Sequence, residues 1–332
     1  MKPPLIDLHG VSKQFFRNPD LAEKLASYLG VPMGGTITHA VDGVDMSIAE
    51  GEVVGLVGES GCGKSTLGRI VAGIMPPTGG SLNYRGRPVS ELRDAEASAY
   101  TLDVQMIFQD PFASLNPRMR VRQIIGGAPL FHGIITNAEL DDYVDEMMRR
   151  VGLDPSYKQR YPHQFSGGQR QRVGIARALA VNPKFLVCDE AVAALDVSIQ
   201  AQVLNLFMKL RDELGLTYLF ISHDLGVVEH LSDRVYIMYL GRIVESVAAG
   251  VLFERPNHPY TRALLDEIPR LDMRQRQYVP ISGEIPSPLS PPSGCHFHPR
   301  CPKAMPRCAA ERPQLREIAP GHYSACHLND ET

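Results

Sequence analysis

The nine residues Gly58-Glu59-Ser60-Gly61-Cys62-Gly63-Lys64-Ser65-Thr66 constrain this chain more than any other stretch. They fit G-x-x-x-x-G-K-[ST], a phosphate-binding loop when a strand runs into it and a helix leaves it. Val53-Val54-Gly55-Leu56-Val57 reads as the buried strand, and the helix is expected to begin near Lys64. Three glycines let the backbone curl so that its N–H groups turn inward onto phosphate oxygens. Lys64 supplies a point charge for the β and γ phosphates, and the Ser65 hydroxyl is a ligand for Mg²⁺. The positive end of the helix dipole adds to the cradle. Nucleotide contacts are therefore expected from Gly58, Ser60, Gly61, Cys62, Gly63, Lys64, Ser65 and Thr66.

A phosphate loop says only that a nucleotide binds, so the remaining composition matters mainly for what it excludes. The 332 residues, 44% hydrophobic and 21% charged, suit an ordinary globular protein with a large core. A net charge of -3 gives no support to nucleic-acid binding. No run of 18 apolar residues is present, and the start, Met1 to Asp7, lacks the apolar centre of a secretory signal. The expectation is a cytoplasmic protein whose membrane role, if it has one, comes through a partner.

Along the chain, Leu5 to Val11 and Met46-Ser47-Ile48 alternate like strands, separated by a polar insert from about Arg17 to Thr38. Within the insert, Leu21 to Ala26 is compatible with a short helix. Pro76-Pro77-Thr78-Gly79-Gly80 ends the helix after the phosphate loop, and Ser81 to Tyr84 resumes a strand. From about Ala113 to Phe165 the period becomes helical, with Leu140, Val144, Met147, Met148 and Val151 on one face. Apolar strands return at Phe185 to Cys188 and Thr217 to Ile221, with an amphipathic helix between them over Ile199 to Leu214. Continuous apolar strands alternating with helices imply a parallel sheet covered on both faces. Beyond Gly250 the chain becomes Pro-rich, with Pro286, Pro288, Pro291 and Pro292 close together, like a linker into a small Cys-rich module.

Acids and amides fall where such a sheet would expose them. Asp189 ends an apolar strand, where a carboxylate can hold Mg²⁺ through water, and Glu190 follows in position to polarise an attacking water. Adjacent acids at a strand end also occur as plain solvated turns; the phosphate loop is what gives these a task. Gln109, before Pro111, can bring its amide to Mg²⁺ or water as its loop closes. Ser222-His223-Asp224 is no hydrolytic triad, since sequence neighbours do not converge on one another. Ser166-Gly167-Gly168-Gln169 should cap a helix whose dipole end is free to meet an anion. With one phosphate cradle already present, a second is best explained as acting in trans.

Taken in order, the phosphate loop, Phe108-Gln109-Asp110, Gln164 to Arg172, Phe185 to Glu190, Ala194-Leu195-Asp196 and Ile221 to Asp224 resemble the ATP-binding subunit of ABC transporters, from about Leu5 to at least Arg262. The resemblance implies an α/β fold with a RecA-like P-loop nucleotide-binding core and parallel sheet. It would comprise residues 1–112 and 171–250, interrupted by a helical subdomain with the signature motif at 113–170 and followed by a Cys-rich extension at 251–332. It further implies an ATPase in which Glu190 is the general base and His223 contacts the γ phosphate and attacking water. Gln109 would couple the nucleotide to the membrane partner, and Phe15, with Phe16 as rival, would stack on adenine. Two subunits would sandwich two ATP molecules. Each site would join Lys64, Asp189, Glu190 and His223 of one chain to Ser166, Gly168 and Gln169 of the other, with Asp196 at the interface. One departure is Ala191-Val192, where the family has Pro-Thr after the acids.

Phe108 to Met119 and Asn257-His258-Pro259-Tyr260-Thr261-Arg262-Ala263-Leu264-Leu265 are similar to the F-type partner of dipeptide and oligopeptide importers, a family that also includes nickel importers. That likeness implies a different but homologous ATPase partner, two integral membrane permeases and, indirectly, an extracytoplasmic solute-binding protein. The chain would sit peripherally on the cytoplasmic face of the inner membrane. A nickel or other small-solute importer is the alternative, and a non-transport ABC ATPase or a regulatory nucleotide-binding module are rivals outside transport. Four of the six cysteines, Cys295, Cys301, Cys308 and Cys326, lie in the tail. Read alone they suit tetrahedral Zn²⁺, though their spacing is wider than usual zinc pairs, or an iron–sulfur cluster, with free thiols as the remaining reading; the family resemblance implies a four-iron four-sulfur cluster. His296, His298, His322 and His327 read as surface residues, and Cys62 and Cys188 as small buried side chains.

Overall fold

The computed structural model describes residues 3–17, 36–267 and 283–330. The Leu21 to Ala26 helix lies outside them. Two sheets organise the rest. The smaller is antiparallel, in the order β2-β1-β4-β5, built from β1 (Ile6–Arg17), β2 (Thr36–Ile48), β4 (Gly79–Tyr84) and β5 (Arg87–Pro88). Its alternation is one-sided: Ile6 and Leu8 face Ile48 and Met46 across the ladder and are buried, while Asp7 and Ser47 between them are not.

The larger sheet runs β11 (Arg316–Ala319), β12 (His322–Ser324), β10 (Arg242–Ala248), β9 (Arg234–Tyr239), β3 (Val53–Val57), β8 (Thr217–Ser222), β7 (Phe185–Asp189) and β6 (Val104–Ile107), in that order. Its parallel part comprises β3, β6, β7, β8 and β9. These strands are buried nearly end to end because both faces are covered, and successive side chains divide between the covers. Phe185, Val187, Leu219 and Ile221 pack with Leu67 and Ile70 of the Lys64–Val71 helix. Leu186, Cys188, Tyr218 and Phe220 pack on the opposite face with Val203, Phe207 and Leu210 of the Val197–Leu214 helix. The helical lobe, carried by Val121–Phe131 and Leu140–Arg150, joins this second cluster through Val121, Ile125, Val144 and Met148.

The region beyond residue 250 departs from the expected linker and separate module. The strand β10 (Arg242–Ala248) pairs antiparallel with β9, and the tail supplies β11 (Arg316–Ala319) and β12 (His322–Ser324) to continue the same sheet. Even the Pro-rich stretch is docked, since Pro288 O accepts from His39 N on β2 at 3.2 Å. Phe297 is fully buried against Tyr239 and Tyr260, each ring centroid 5.3 Å from its own.

The surface reading of the tail histidines is likewise corrected. His296, His322 and His327 are buried and His298 half-buried. Each has a polar partner that makes burial tolerable: His322 Nε2 lies 2.7 Å from Glu245 Oε1, His327 Nδ1 3.0 Å from Asp330, and His296 Nδ1 3.1 Å from Leu240 O. Glu245, fully buried on β10, also accepts from the backbone N–H groups of Asn257 and His258 at 2.8 Å. Its carboxylate thus ties three chain segments together. Burial pushes the pKa of His258 down to about 3, so that ring is neutral.

Candidate functional site

Parallel strands end their C-terminal edges on one side of a sheet, and chemistry collects there. Here β3 delivers the phosphate loop, β6 leads to Gln109, β7 ends at Asp189, and β8 leads to His223. The register pairs Ile107 with Cys188 and Asp189 with Ile221, so the three ends stand level.

The loop has the tight backbone its glycines suggest. A Cβ on Gly58 would stand 2.1 Å from Met238 O, and one on Gly63, at φ 108°, 2.0 Å from Ala40 O. Ser60 and Gly61 face solvent, Cys62 is buried, and Ser65 and Thr66 are half-buried on the first turn of the helix. Lys64 is buried and donates to Gly58 O at 2.7 Å and Glu59 O at 2.9 Å. Its ammonium therefore already spans the mouth of the cradle. Ser65 Oγ donates to Asp189 Oδ1 at 2.8 Å. Burial raises the Asp189 pKa, opposed by the Ser65 hydrogen bond and reinforced by the neighbouring Glu190 charge.

Glu190 takes a left-handed backbone, φ 45°, unusual for a non-glycine residue. Two backbone bonds hold it there: its N–H donates to Ile221 O, and its carbonyl accepts from Ala193 N, both at 3.0 Å. The turn aims the carboxylate across the strand ends. Gln109 Nε2 donates to Glu190 Oε2 at 2.6 Å, and His223 Nδ1 lies 3.5 Å from Glu190 Oε1. Gln109, Asp189, Glu190 and His223 thus form one neighbourhood with Lys64 and Ser65. Ala191 and Val192, where the family pattern departs, are both buried and leave this geometry open.

Ser166 belongs elsewhere. It is exposed and caps the Gly167–Leu179 helix in a reciprocal pair, Ser166 Oγ accepting from Gln169 N at 3.3 Å and Gln169 Oε1 from Ser166 N at 3.0 Å. None of these bonds reaches the chain's own phosphate loop. Gly168 abuts Ile199, where a Cβ would lie 2.5 Å from Ile199 Cγ2, so the cap rests on the start of the Val197–Leu214 helix. Asp196 and Val197 beside it are exposed, the valine by 84%. A link back to the strand ends exists through Phe112, three residues after Gln109, whose ring lies 3.6 Å beneath the Arg170 guanidinium. Phe15 and Phe16 on β1 are exposed by 39% and 66%, so neither ring is committed to the core.

Motif reading misses the underside of the phosphate loop. Glu59 N–H donates to Tyr260 Oη at 2.9 Å, and Arg300 pairs with the Glu59 carboxylate through both terminal nitrogens, at 2.7 and 2.9 Å. The Asn257 to Leu265 stretch, a family mark with no derived role, thereby gains a contact with the nucleotide loop. The four tail cysteines carry no disulfide. Burial, then the charges of Cys308, Cys326 and Cys301, pushes the Cys295 thiol up to about 11. They share one electrostatic neighbourhood, yet among the described residues no three His, Cys, Asp or Glu side chains converge tightly enough to hold a metal ion.

Comparison with known proteins narrows the class. The family described as ABC transporter matches residues 41–193, and that described as oligopeptide/dipeptide transporter, C-terminal region, matches residues 244–308. The chain is 55% identical over 299 residues to the putative oligopeptide transport ATP-binding protein YkfD of Bacillus subtilis, covering 88% of this chain and 91% of that protein. It is 52% identical to the oligopeptide transport ATP-binding protein AppF of the same organism, covering 87% and 89%. A putative peptide import ATP-binding protein of Brucella ovis is 53% identical, covering 86% and 90%. Among solved structures, cbiO1 from Clostridium perfringens, part of the ABC transporter complex cbiONQ, superposes with a TM-score of 0.61 at 27% identity, covering 76% of this chain and 92% of that one. The dimeric post-hydrolysis state of the ATP-binding cassette MJ0796, bound to ADP and Pi, gives 0.62 at 28% identity, covering 74% and 98%.

Proposed function

We propose, from the premise that this chain belongs to the ABC transporter family and to its oligopeptide-transport branch, that it is the ATP-hydrolysing subunit of a peptide importer. One observation carries the reading: Gln109, Asp189, Glu190 and His223 stand together at the strand ends beside Lys64. That set can hold a triphosphate and orient a water. Lys64 exchanges its loop carbonyls for the β and γ phosphates as ATP enters. Glu190 takes the proton of the attacking water, with Gln109 and His223 fixing its two carboxylate oxygens and the γ phosphate. Phe15 offers its exposed ring to adenine. Ser65 and Asp189, a hydroxyl and a carboxylate already paired at 2.8 Å, are hard oxygen donors suited to Mg²⁺, with Gln109 completing the set. When bound, the ion neutralises charge on the β and γ oxygens.

Ser166, Gly168 and Gln169 serve the site of a second, homologous ATPase subunit. The cap's side-chain bonds, which stay within its own helix start and leave the chain's own cradle alone, support this, as does the exposed surface at Asp196 and Val197. Two integral membrane permeases and, through them, an extracytoplasmic solute-binding protein complete the machine, with this chain peripheral on the cytoplasmic face. Among the described residues no helix is long and apolar enough to cross a membrane. Reconstituted with its permeases and partner ATPase in vesicles, the chain should give peptide uptake that depends on ATP and an ATP turnover stimulated by loaded binding protein. Turnover accompanied by nickel uptake and no peptide uptake would overturn the peptide assignment.

An iron–sulfur cluster at Cys295, Cys301, Cys308 and Cys326, with zinc as the alternative, is the finer part of the same reading. Four soft sulfur donors free of disulfides support it; their arrangement here is more open than a closed ligand set. No step of ATP hydrolysis depends on it. Anaerobically purified protein should be brown, with visible absorption lost in the Cys301→Ser variant. Colourless protein loaded with zinc would reject iron.

A further inference from the structure

We propose that Arg300 is a positioning residue for ATP binding, acting through Glu59 of the phosphate loop; the proposal rests on the ATPase reading above. Glu59 is the only acid between Gly58 and Thr66. A carboxylate in a cradle built for a triphosphate has the wrong sign, and nothing in the motif requires it. The structure shows how it is accommodated. Arg300, 241 residues away, grips it with a two-pronged pair, Nη1 to Oε2 at 2.7 Å and Nη2 to Oε1 at 2.9 Å. The Arg300 side chain is only 5% exposed, and Nη1 also donates to Tyr239 Oη at 3.3 Å.

The rest of Glu59 is fixed as firmly. Its N–H donates to Tyr260 Oη, and its carbonyl accepts from Lys64 Nζ at 2.9 Å. Tyr239 and Tyr260 pack edge to face with centroids 4.7 Å apart, and Phe297 closes the group, so the anchor is rigid. Arg300 thus neutralises the acid and ties its carboxylate to the Tyr239 side of the loop. Without it the carboxylate is uncompensated in the loop that also carries Lys64, the cation that the phosphates need, and is free to turn and compete with ATP for that ammonium. Glu190, Asp189 and His223 sit at other strand ends, and among the described residues no hydrogen bond or ion pair joins them to Arg300. The loss should therefore fall on affinity and spare the chemical step.

The test is MgATP titration of the full-length chain, with steady-state turnover of the assembled complex. Arg300→Ala should raise Kd and KM for ATP about tenfold or more, with kcat within about twofold of wild type. Arg300→Lys, which keeps the charge and loses the fork, should fall between them. Glu59→Gln/Arg300→Ala should regain most of the lost affinity, because no bare carboxylate remains. A role in packing alone would leave the double variant as weak as Arg300→Ala, and that result overturns the proposal, as does unchanged ATP affinity in Arg300→Ala. If Arg300→Ala does not fold, Arg300→Gln with and without Glu59→Gln makes the same comparison. A wild-type chain that binds no MgATP, or binding that survives Lys64→Ala, strikes the ATPase reading itself and this proposal with it.

Discussion

Glu190→Gln should lower ATP turnover at least about a hundredfold while ATP still binds, since a positioned general base contributes about 10²–10⁴-fold. Glutamine keeps the volume and the oxygen that accepts from Gln109 Nε2 at 2.6 Å, so the local geometry survives. What it cannot do is take a proton. The binding proposed for Lys64, Ser65 and Asp189, which belong to the phosphate loop and to the end of β7, is untouched by the change. ATP-bound dimers should therefore accumulate, visible by size exclusion at saturating MgATP, while phosphate release by the complex nearly stops. Turnover within about threefold of wild type would mean that the base is some other group, with His223 the next to test.

The second large effect is expected at Ser166, and it separates assembly from folding. Aspartate is as good a helix N-cap as serine, so Ser166→Asp should keep the bond from Gln169 N and leave stability within about 0.5 kcal/mol of wild type. In the proposed shared site its carboxylate would nevertheless face the γ phosphate of the partner subunit's ATP. Like charges at such range, shielded from solvent, oppose closure by several kcal/mol. Turnover should drop about a hundredfold or more, while ATP affinity of the monomeric chain is unchanged. Full turnover in Ser166→Asp would show that the two subunits do not share their sites in this way.

Much of the candidate site's layout is legible in the sequence, because each piece follows an apolar strand. Val53 to Val57 announces the phosphate loop, Phe185 to Cys188 announces Asp189 and Glu190, and Thr217 to Ile221 announces His223. Such runs are local, and so are the turns that follow them. The left-handed turn at Glu190 is another matter, since a glutamate gives no sign of that backbone, which is held by its N–H bond to Ile221 O and the bond it accepts from Ala193 N. Arg300 was illegible for a different reason. A lone arginine among cysteines and prolines means nothing until Tyr239, Tyr260 and Phe297 assemble beneath Glu59. The tail histidines misled because their burial depends on partners far along the chain, Glu245 foremost. A three-residue strand such as His322–Ser324 carries too little periodicity to declare its pairing.

That short strand also bears on how the protein can be cut. Ser324 and Tyr323 occupy the flank of β10 opposite Glu245 and Ser246, and Ala325 N–H closes onto Val244 O at 2.8 Å. A fragment stopped near Gly250, the natural choice for a minimal cassette, would strip that flank and leave a row of unmatched peptide groups along a strand that is otherwise buried. Such a fragment should recruit extended segments from its neighbours and be recovered from overproducing cells as insoluble material in a larger proportion than the chain carried through to Asn329.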